Sequence, residues 1–121
     1  MLITSMGRNI TPEWIESELT SEPAIIQAMA IGEAKPHPVA LVVASAGAGE
    51  HAVSQAIARA NSRLPDYARV RRWASFPEAP TFAHGLMTAN GRLRRAEITA
   101  RYRYLIDSLY DHALGNVHEI S

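Results

Sequence analysis

The sequence predicts a compact α+β domain: a small sheet of about three main strands with helices packed against it. Three observations favour this class. Apolar residues make up 47% of the 121 residues, so the chain is able to bury a core. Short apolar runs alternate with amphipathic segments, in the order strand, helix, strand, strand, helix, strand, loop, helix. Proline and glycine stand at the junctions between them. The length fits one domain spanning residues 1–121.

The first elements are a short strand and a helix. Residues 2–5 are expected to be extended and to close at Gly7. Residues 11–13 then mark a helix start, with Thr11 as the cap, proline in the first turn and a carboxylate at the positive end of the helix dipole. Pro23 stops this helix. Its apolar face is predicted to consist of Trp14, Ile15 and Leu19.

Two strands follow, at residues 25–31 and 39–44. Both are apolar on each face, which is typical of strands that are covered on both sides. The turn-rich segment 32–38 joins them, so the pair is predicted to form a hairpin with a long loop. Residues 46–49 contain a Gly-x-Gly pattern without a phosphate-loop lysine, and we interpret them as a linker.

The second half predicts a helix over 50–64, a strand over 70–76, a loop over 77–91, a long helix over 93–114 and a loose tail over 115–121. The two helices are recognised by apolar residues at helical spacing. These positions are Val53, Ile57, Ala60 and Leu64 in the first helix, and Ile98, Tyr102, Leu105, Ile106 and Leu109 in the second.

Composition excludes several classes of function. A net charge of zero argues against a protein that holds nucleic acid mainly by bulk charge. The absence of cysteine excludes disulfides, thiol nucleophiles and zinc–thiolate sites, and the five histidines form no His-x-x-x-His pair, so no metal site is predicted. No apolar run approaches the roughly 20 residues that cross a bilayer, and no signal peptide is recognised. The expected location is the cytoplasm.

One arginine cluster suggests a nucleic-acid interface. Arg69, Arg71 and Arg72 lie close in sequence to Tyr67 and Trp73, and arginine interleaved with aromatic residues is able to bind single-stranded nucleic acid. The zero net charge and the inward direction expected for Trp73 argue against this reading.

Two other segments are suited to an anionic partner. Gly7 precedes a helix start, where backbone is able to approach a ligand closely and the helix end favours anions. Residues 88–95 present Arg92 at a loop–helix junction, where its planar guanidinium could grip a phosphate or carboxylate, with Arg94 and Arg95 as further anion contacts. The plainer alternatives, a tight turn before a capped helix and a solvated run of charge, stay open on spacing alone.

The same two segments carry a family resemblance. Residues 2–16, LITSMGRNITPEWIE, resemble the segment that follows the hinge in AMP-forming long-chain acyl-CoA synthetases. Residues 85–95, GLMTANGRLRR, resemble the loop that carries the adenylation lysine near the end of those enzymes. The order and separation match, and the likeness covers nearly the whole chain, so the fold of that family's C-terminal domain is implied. The chain departs from the pattern at Arg92, where the lysine is expected, and at His84, where the family tends to have asparagine.

The resemblance implies a role for each matching residue. Arg92 would be the catalytic cation of adenylation. Gly7 would line the pantetheine tunnel, with Arg8 and Asn9 beside it. The hinge residue would lie immediately before Leu2, so the chain would act only with a large N-terminal adenylation domain, in the same or a separate chain.

The substrates and partners follow from the same resemblance. ATP with magnesium, coenzyme A and an acyl-AMP intermediate are implied for the complete enzyme, and none of them is expected to bind tightly to this domain alone. Two alternatives remain: a non-catalytic interaction or regulatory module of the same fold, and a nucleotide- or RNA-binding domain.

Overall fold

A four-stranded sheet forms the centre of the computed structural model, which describes residues 1–111 and the backbone of 118–119. This confirms the α+β class and the three main strands, and a separate two-stranded sheet lies at the N-terminus. The elements in chain order are β1 (Leu2–Ile3), β2 (Asn9–Ile10), α1 (Pro12–Thr20), β3 (Ile25–Ile31), β4 (Val39–Ala44), α2 (Glu50–Asn61), a 3-10 helix (Asp66–Ala68), β5 (Arg72–Ser75), α3 (Arg95–Arg101), α4 (Arg103–Asp111) and β6 (His118–Glu119).

The strand order in the central sheet is β3–β4–β5–β6. β3 and β4 form the predicted antiparallel hairpin, from Ile31 opposite Val39 to Ile25 opposite Ala44. β5 runs parallel to β4, a pairing that needs a crossover connection, and α2 supplies it. β5 pairs in turn with the two-residue strand β6 in antiparallel fashion.

The sheet is covered on both faces, as the apolar runs predict. Side chains of β4 alternate between two buried clusters: Val39 and Leu41 join one, and Ala40 and Val42 join the other. α1 and α2 complete the first face with buried residues such as Ile57, while α3 and α4 complete the second. Each fully buried aliphatic side chain contributes about 1.5–3 kcal/mol, so this two-sided burial supplies most of the driving force for folding.

A charged network fastens the end of α1 to α2. Glu22 is buried and accepts hydrogen bonds from Nε of Arg59 at 2.8 Å and from Nη2 of Arg63 at 3.1 Å. Arg63 also donates from Nε to Glu18 at 2.7 Å. The hydrogen bond from Arg59 is the main cause that lowers the pKa of Glu22, while burial works in the opposite direction.

The last helix differs from the prediction, because it is divided at Tyr102. α3 ends there with φ −110° and ψ 27°, and α4 begins at the next residue. Tyr102 is only partly buried and packs edge-on against Phe76, with ring centroids 6.2 Å apart. Ile98 of α3 and Leu105 of α4 still belong to the same apolar cluster, as predicted.

The N-terminal region also corrects two expectations. Thr11 stands at the cap position of α1, but its side chain makes no capping hydrogen bond. Trp14, expected in the apolar face, is 40% exposed, because the face that meets the sheet is formed by Ile15 and Leu19. The strand predicted over 2–5 contains only Leu2–Ile3 and pairs with the unpredicted β2.

Two element boundaries move for local reasons. α2 ends at Asn61 rather than at 64, because Nε of Arg69 donates to the carbonyl oxygens of Asn61 and Leu64 at 3.0 Å each and fixes a turn. β5 begins at Arg72 rather than at 70, because the backbone of Val70 is bound instead by the buried side chain of Asn61. The loose tail predicted over 115–121 lies outside the described residues, except for the two residues of β6.

Candidate functional site

Arg92 lies on a tight hairpin, here called the Arg92 hairpin, formed by residues 87–93. Met87 and Leu93 form a single antiparallel bridge at its base. The amide of Thr88 donates to the carbonyl oxygen of Arg92 at 2.8 Å, and the amide of Gly91 donates to the carbonyl oxygen of Thr88 at 2.9 Å. Gly91 has φ +82°, the left-handed conformation that closes a three-residue hairpin loop. The hairpin therefore fixes the backbone of Arg92 while its side chain remains exposed.

Arg92 lines a cleft of about 620 Å³ together with two residues that carry carboxylates. No ion pair or hydrogen bond of the Arg92 guanidinium is found within residues 1–111. The cleft-lining residues are Glu13, Glu16, Arg92, Leu93 and Arg95. Arg92 is thus an exposed cation beside a cavity of suitable size for an anionic group.

The neighbouring Arg95 is engaged by both cleft carboxylates. Its Nη1 and Nη2 donate to Oε2 and Oε1 of Glu16, at 2.6 Å each, and Nη2 lies 3.5 Å from Oε2 of Glu13. This two-pronged pairing raises the pKa of Arg95 above its usual value, although desolvation opposes the effect. Glu16 also accepts the backbone amide of Ala30 at 2.7 Å, on the outer edge of β3. The role of Arg95 as an anion contact stays a prediction, and any such anion would compete with Glu16.

Arg94 is held less tightly. Its Nη1 donates to the carbonyl oxygen of Gly85 at 3.1 Å, and its Nη2 lies 3.5 Å from Glu97. Both contacts are exposed, so Arg94 is free to exchange them for an incoming anion.

Gly7 lies on a second hairpin, here called the Gly7 hairpin, formed by residues 2–10. Its φ is +82°, and a Cβ built on it would meet no atom within 4 Å. Gly7 is exposed, so its missing side chain leaves open space on the outer surface of the domain rather than permitting an internal contact.

The two residues after Gly7 have different environments. The guanidinium of Arg8 stacks over the ring of Tyr67, 4.7 Å from its centroid, in a cation–π contact. Asn9 is exposed and occupies the first position of β2. The three residues predicted for the pantetheine tunnel are therefore contiguous on one exposed surface.

The two hairpins share one local design, which was not predicted from the sequence. Each contains Thr-x-x-Gly-Arg, at residues 4–8 and 88–92. In each, the first and last residues pair, the glycine amide bonds the threonine carbonyl, and the arginine amide bonds the threonine Oγ1, at 3.2 Å and 3.1 Å. The signal for this design in the sequence is a turn glycine that is followed directly by a cation and preceded, three residues earlier, by threonine.

α1 connects the two candidate regions. The helix begins two residues after β2 of the Gly7 hairpin, and its Glu13 and Glu16 line the cleft beside the Arg92 hairpin. The residues that the sequence predicts as two separate sites are therefore joined through one short helix.

The arginine–aromatic cluster is largely used within the fold. Trp73 is 1% exposed, as expected from its sequence position, and its Nε1 donates to Ser54. Arg69 holds the end of α2 and pairs with Asp66, while Nη1 of Arg72 donates to the carbonyl oxygen of Leu109 at 2.6 Å. The structure therefore gives no support to a nucleic-acid interface at this cluster.

Two structural features are absent from residues 1–111 and 118–119. Within that part of the chain, no three His, Asp or Glu side chains come together as a metal site. No helix in the same residues is both long and apolar enough to span a membrane.

Comparisons with known proteins agree on one family. A family model described as the AMP-binding enzyme C-terminal domain matches residues 1–114. The chain is 23% identical, over 92% of its length, to the long-chain-fatty-acid–CoA ligase FadD15 of Mycobacterium tuberculosis. It is 27% identical, over 90% of its length, to the probable acyl-activating enzyme 16, chloroplastic, of Arabidopsis thaliana. The chain spans only 22% and 18% of these two proteins.

Solved structures show the same fold. The A domain of the carboxylic acid reductase from Segniliparus rugosus matches with a TM-score of 0.81 and 21% identity, over 93% of this chain and 20% of that one. The acyl-CoA synthetase of Brucella canis matches with a TM-score of 0.66 and 23% identity, over 87% of this chain and 20% of that one. At these identities the likeness establishes the fold alone.

Proposed function

The chain belongs to the family of AMP-binding enzyme C-terminal domains, and on that premise we propose that it is the small mobile domain of an AMP-forming acyl-CoA synthetase. It acts with a large N-terminal adenylation domain and is inactive without it. The large domain binds the fatty acid and ATP with magnesium, and coenzyme A enters for the second step. The small domain binds none of them tightly alone, and the cytoplasm remains the location predicted for it.

The observation that carries the proposal is the exposed guanidinium of Arg92, which has no partner within residues 1–111 and lies on a hydrogen-bonded hairpin. In the first half-reaction a carboxylate oxygen attacks the α-phosphorus of ATP, acyl-AMP forms, and pyrophosphate leaves. Negative charge accumulates on the phosphate oxygens as the bond to pyrophosphate breaks. Arg92 would hold these oxygens, since a fixed cation aimed at developing charge stabilises a transition state. Arginine supplies the same charge as lysine and offers a planar two-pronged grip instead of a point charge.

The Gly7 hairpin supports the second half-reaction. The thiol of coenzyme A attacks the acyl carbonyl, the thioester forms, and AMP leaves. A hairpin surface without a side chain at Gly7 leaves room for the narrow pantetheine arm. Arg8 and Asn9 would contact the same arm or the large domain. A rotation of the small domain would present first one hairpin and then the other, a hinge motion that builds two sites from one domain.

A chimera tests this proposal. The chain replaces the small domain of the Mycobacterium tuberculosis ligase FadD15, and pyrophosphate release and acyl-CoA formation are measured separately with acids of several lengths. We expect both activities to exceed those of the large domain alone. A folded chimera that binds ATP but exceeds the large domain in neither reaction contradicts the proposal.

A second candidate is a non-catalytic module of the same fold that docks on another protein and regulates it. Arg92 in the place of the lysine is the observation that favours it. This candidate gains support if Arg92→Lys and Arg92→Ala leave the pyrophosphate release of an active chimera unchanged.

A further inference from the structure

Three elements meet at the side chain of Glu16, and none of the predicted site roles uses this residue. Glu16 lies on α1, accepts both prongs of Arg95 at the start of α3, and accepts the amide of Ala30 on β3. Its side chain is only 12% exposed, whereas that of Glu13, one turn earlier, is 67% exposed. A carboxylate this buried, with every contact charge-assisted or to backbone, constrains its partners more strongly than a surface ion pair does.

Arg95 stands three residues after Arg92, and the segment between them is short and fixed. The amide of Arg94 donates to the carbonyl oxygen of Leu86 at 2.9 Å, and Leu93 forms the bridge with Met87. A clamp on Arg95 therefore limits how far the Arg92 hairpin is able to tilt relative to α1 and β3.

The cleft contains two carboxylates, Glu13 and Glu16, and two guanidiniums, Arg92 and Arg95. Glu16 is taken up by the two-pronged pairing with Arg95 and by the amide of Ala30, so it is not left to capture Arg92, whereas the exposed Glu13 meets Arg95 only at 3.5 Å. Without that pairing, the carboxylate of Glu16 would be available to Arg92, which lines the same cleft and carries the same charge as Arg95.

From this geometry we propose that Glu16 is a positioning residue, which clamps Arg95 and so holds Arg92 in place with its guanidinium uncaptured. The inference rests on the proposed function for its consequence in catalysis, but the clamp itself is a property of this chain. Glu16 then acts through Arg95, and Arg95 is engaged by Glu16 rather than by the substrate.

The first experiment uses the chain alone. Hydrogen exchange of the amides of Thr88, Gly91, Arg92 and Arg94 is measured by NMR in Glu16→Gln, which keeps an acceptor for Ala30 but removes the charge. We expect about tenfold faster exchange at these four amides, since a hydrogen bond to a charged group contributes more than a neutral one. Arg8, which donates the equivalent bond in the Gly7 hairpin, is expected to keep its rate.

Glu18→Gln is the matched control, because Glu18 lies on the same helix and its salt bridge is to Arg63, away from the cleft. If Glu16→Gln does not fold, Arg95→Met removes the clamp from the other side and is expected to give the same pattern. If the four amides exchange at the same rate in the wild type, in Glu18→Gln and in the variant that removes the clamp (Glu16→Gln or, in its place, Arg95→Met), the proposal is overturned. This outcome leaves the proposed function untouched.

The second experiment uses the FadD15 chimera to separate positioning from a general structural role. Glu16→Gln is expected to lower kcat for pyrophosphate release about tenfold or more, while thioester formation from supplied acyl-AMP changes less than about twofold. If Glu16→Gln lowers the rates of pyrophosphate release and of thioester formation equally, Glu16 is not a positioning residue for Arg92 and has a general structural role instead. If the wild-type chimera is inactive, the proposed function fails, and the exchange measurement still decides whether the clamp exists.

Discussion

Arg92 differs from the neighbouring arginines in what its guanidinium contacts and not in its charge. Arg8 stacks on Tyr67, Arg94 is weakly held, and Arg95 is clamped by Glu16. The sequence predicts the cluster of cations, but it does not distinguish one arginine from another, since all of them carry the same charge. Only the fold reveals which of them has an internal partner, because Glu16 lies 79 residues from Arg95 along the chain.

Replacing Arg92 tests its role directly. In an active chimera, Arg92→Ala is expected to lower kcat for pyrophosphate release by about 10²-fold, the effect of removing one group that stabilises developing charge. Arg92→Lys keeps the charge and is expected to retain most of the rate. Because the guanidinium has no partner within the described residues, neither change is expected to alter the melting temperature. Arg71→Ala, an exposed arginine outside the cleft, is the control, and an equal loss of rate there contradicts a specific role.

Glu22 gives the stability of the domain a pH dependence. Its folded-state pKa is lowered, mainly by the hydrogen bond from Arg59, below the usual value of 4.5. A group with a lowered pKa stabilises the fold above its unfolded-state pKa, and this contribution is lost as the pH falls through the folded-state value. Urea unfolding is therefore expected to show a free energy that decreases below about pH 4.5. Glu22→Gln should reduce this slope, whereas the exposed Glu78→Gln should not.

At the scale of elements, the two Thr-x-x-Gly-Arg hairpins show how a short pattern determines a turn. The threonine supplies both a backbone and a side-chain acceptor, and the glycine supplies the left-handed conformation. Such a loop needs few tertiary contacts, so it is able to present an exposed arginine without burying it.

Substitution of either glycine is expected to destabilise the domain through backbone strain alone. Gly7→Ala and Gly91→Ala place a Cβ in open space at φ +82°, so the cost of about 1 kcal/mol comes from the left-handed conformation. Gly7→Asn and Gly91→Asn should cost less, because asparagine tolerates this conformation better. Denaturant unfolding of the four variants measures the difference. Equal costs for alanine and asparagine would mean that strain is not the cause.

The sequence predicts the main elements well where a continuous apolar run is bounded by turn residues, as in β3 and β4, whose bounds match residue for residue. It fails where tertiary contacts decide. β2 has two residues and exists through its pairing with β1, the break at Tyr102 follows the curvature of the core, and β5 is shortened by the side chain of Asn61. The segments around Gly7 and Arg92 are indicated both by their residue types and by the resemblance, although not as hairpins, while the Glu16 clamp has no local signal.

At the scale of the whole molecule, one sheet separates two apolar clusters. Each of the strands β3, β4 and β5 contributes buried side chains to both clusters. Leu41 of β4 packs on one side and Val42 on the other. Since the strands are shared, loss of packing on either face should weaken the sheet that both faces need.

Matched substitutions on the two faces test this coupling. Ile57→Val on α2 and Ile106→Val on α4 each remove one buried methyl group and are expected to cost about 1 kcal/mol. Each should lower the midpoint of a single transition followed both by backbone circular dichroism and by Trp73 fluorescence in a Trp14→Phe background. Tyr104→Ala, on the exposed face of α4, should change the midpoint little.

If Ile106→Val shifted the midpoint followed by circular dichroism and left the midpoint followed by Trp73 fluorescence in place, the two faces would unfold separately. The proposed rotation of the small domain needs both hairpins to keep their positions relative to the same sheet, and a single shared unfolding transition is the result expected if the two faces form one cooperative unit.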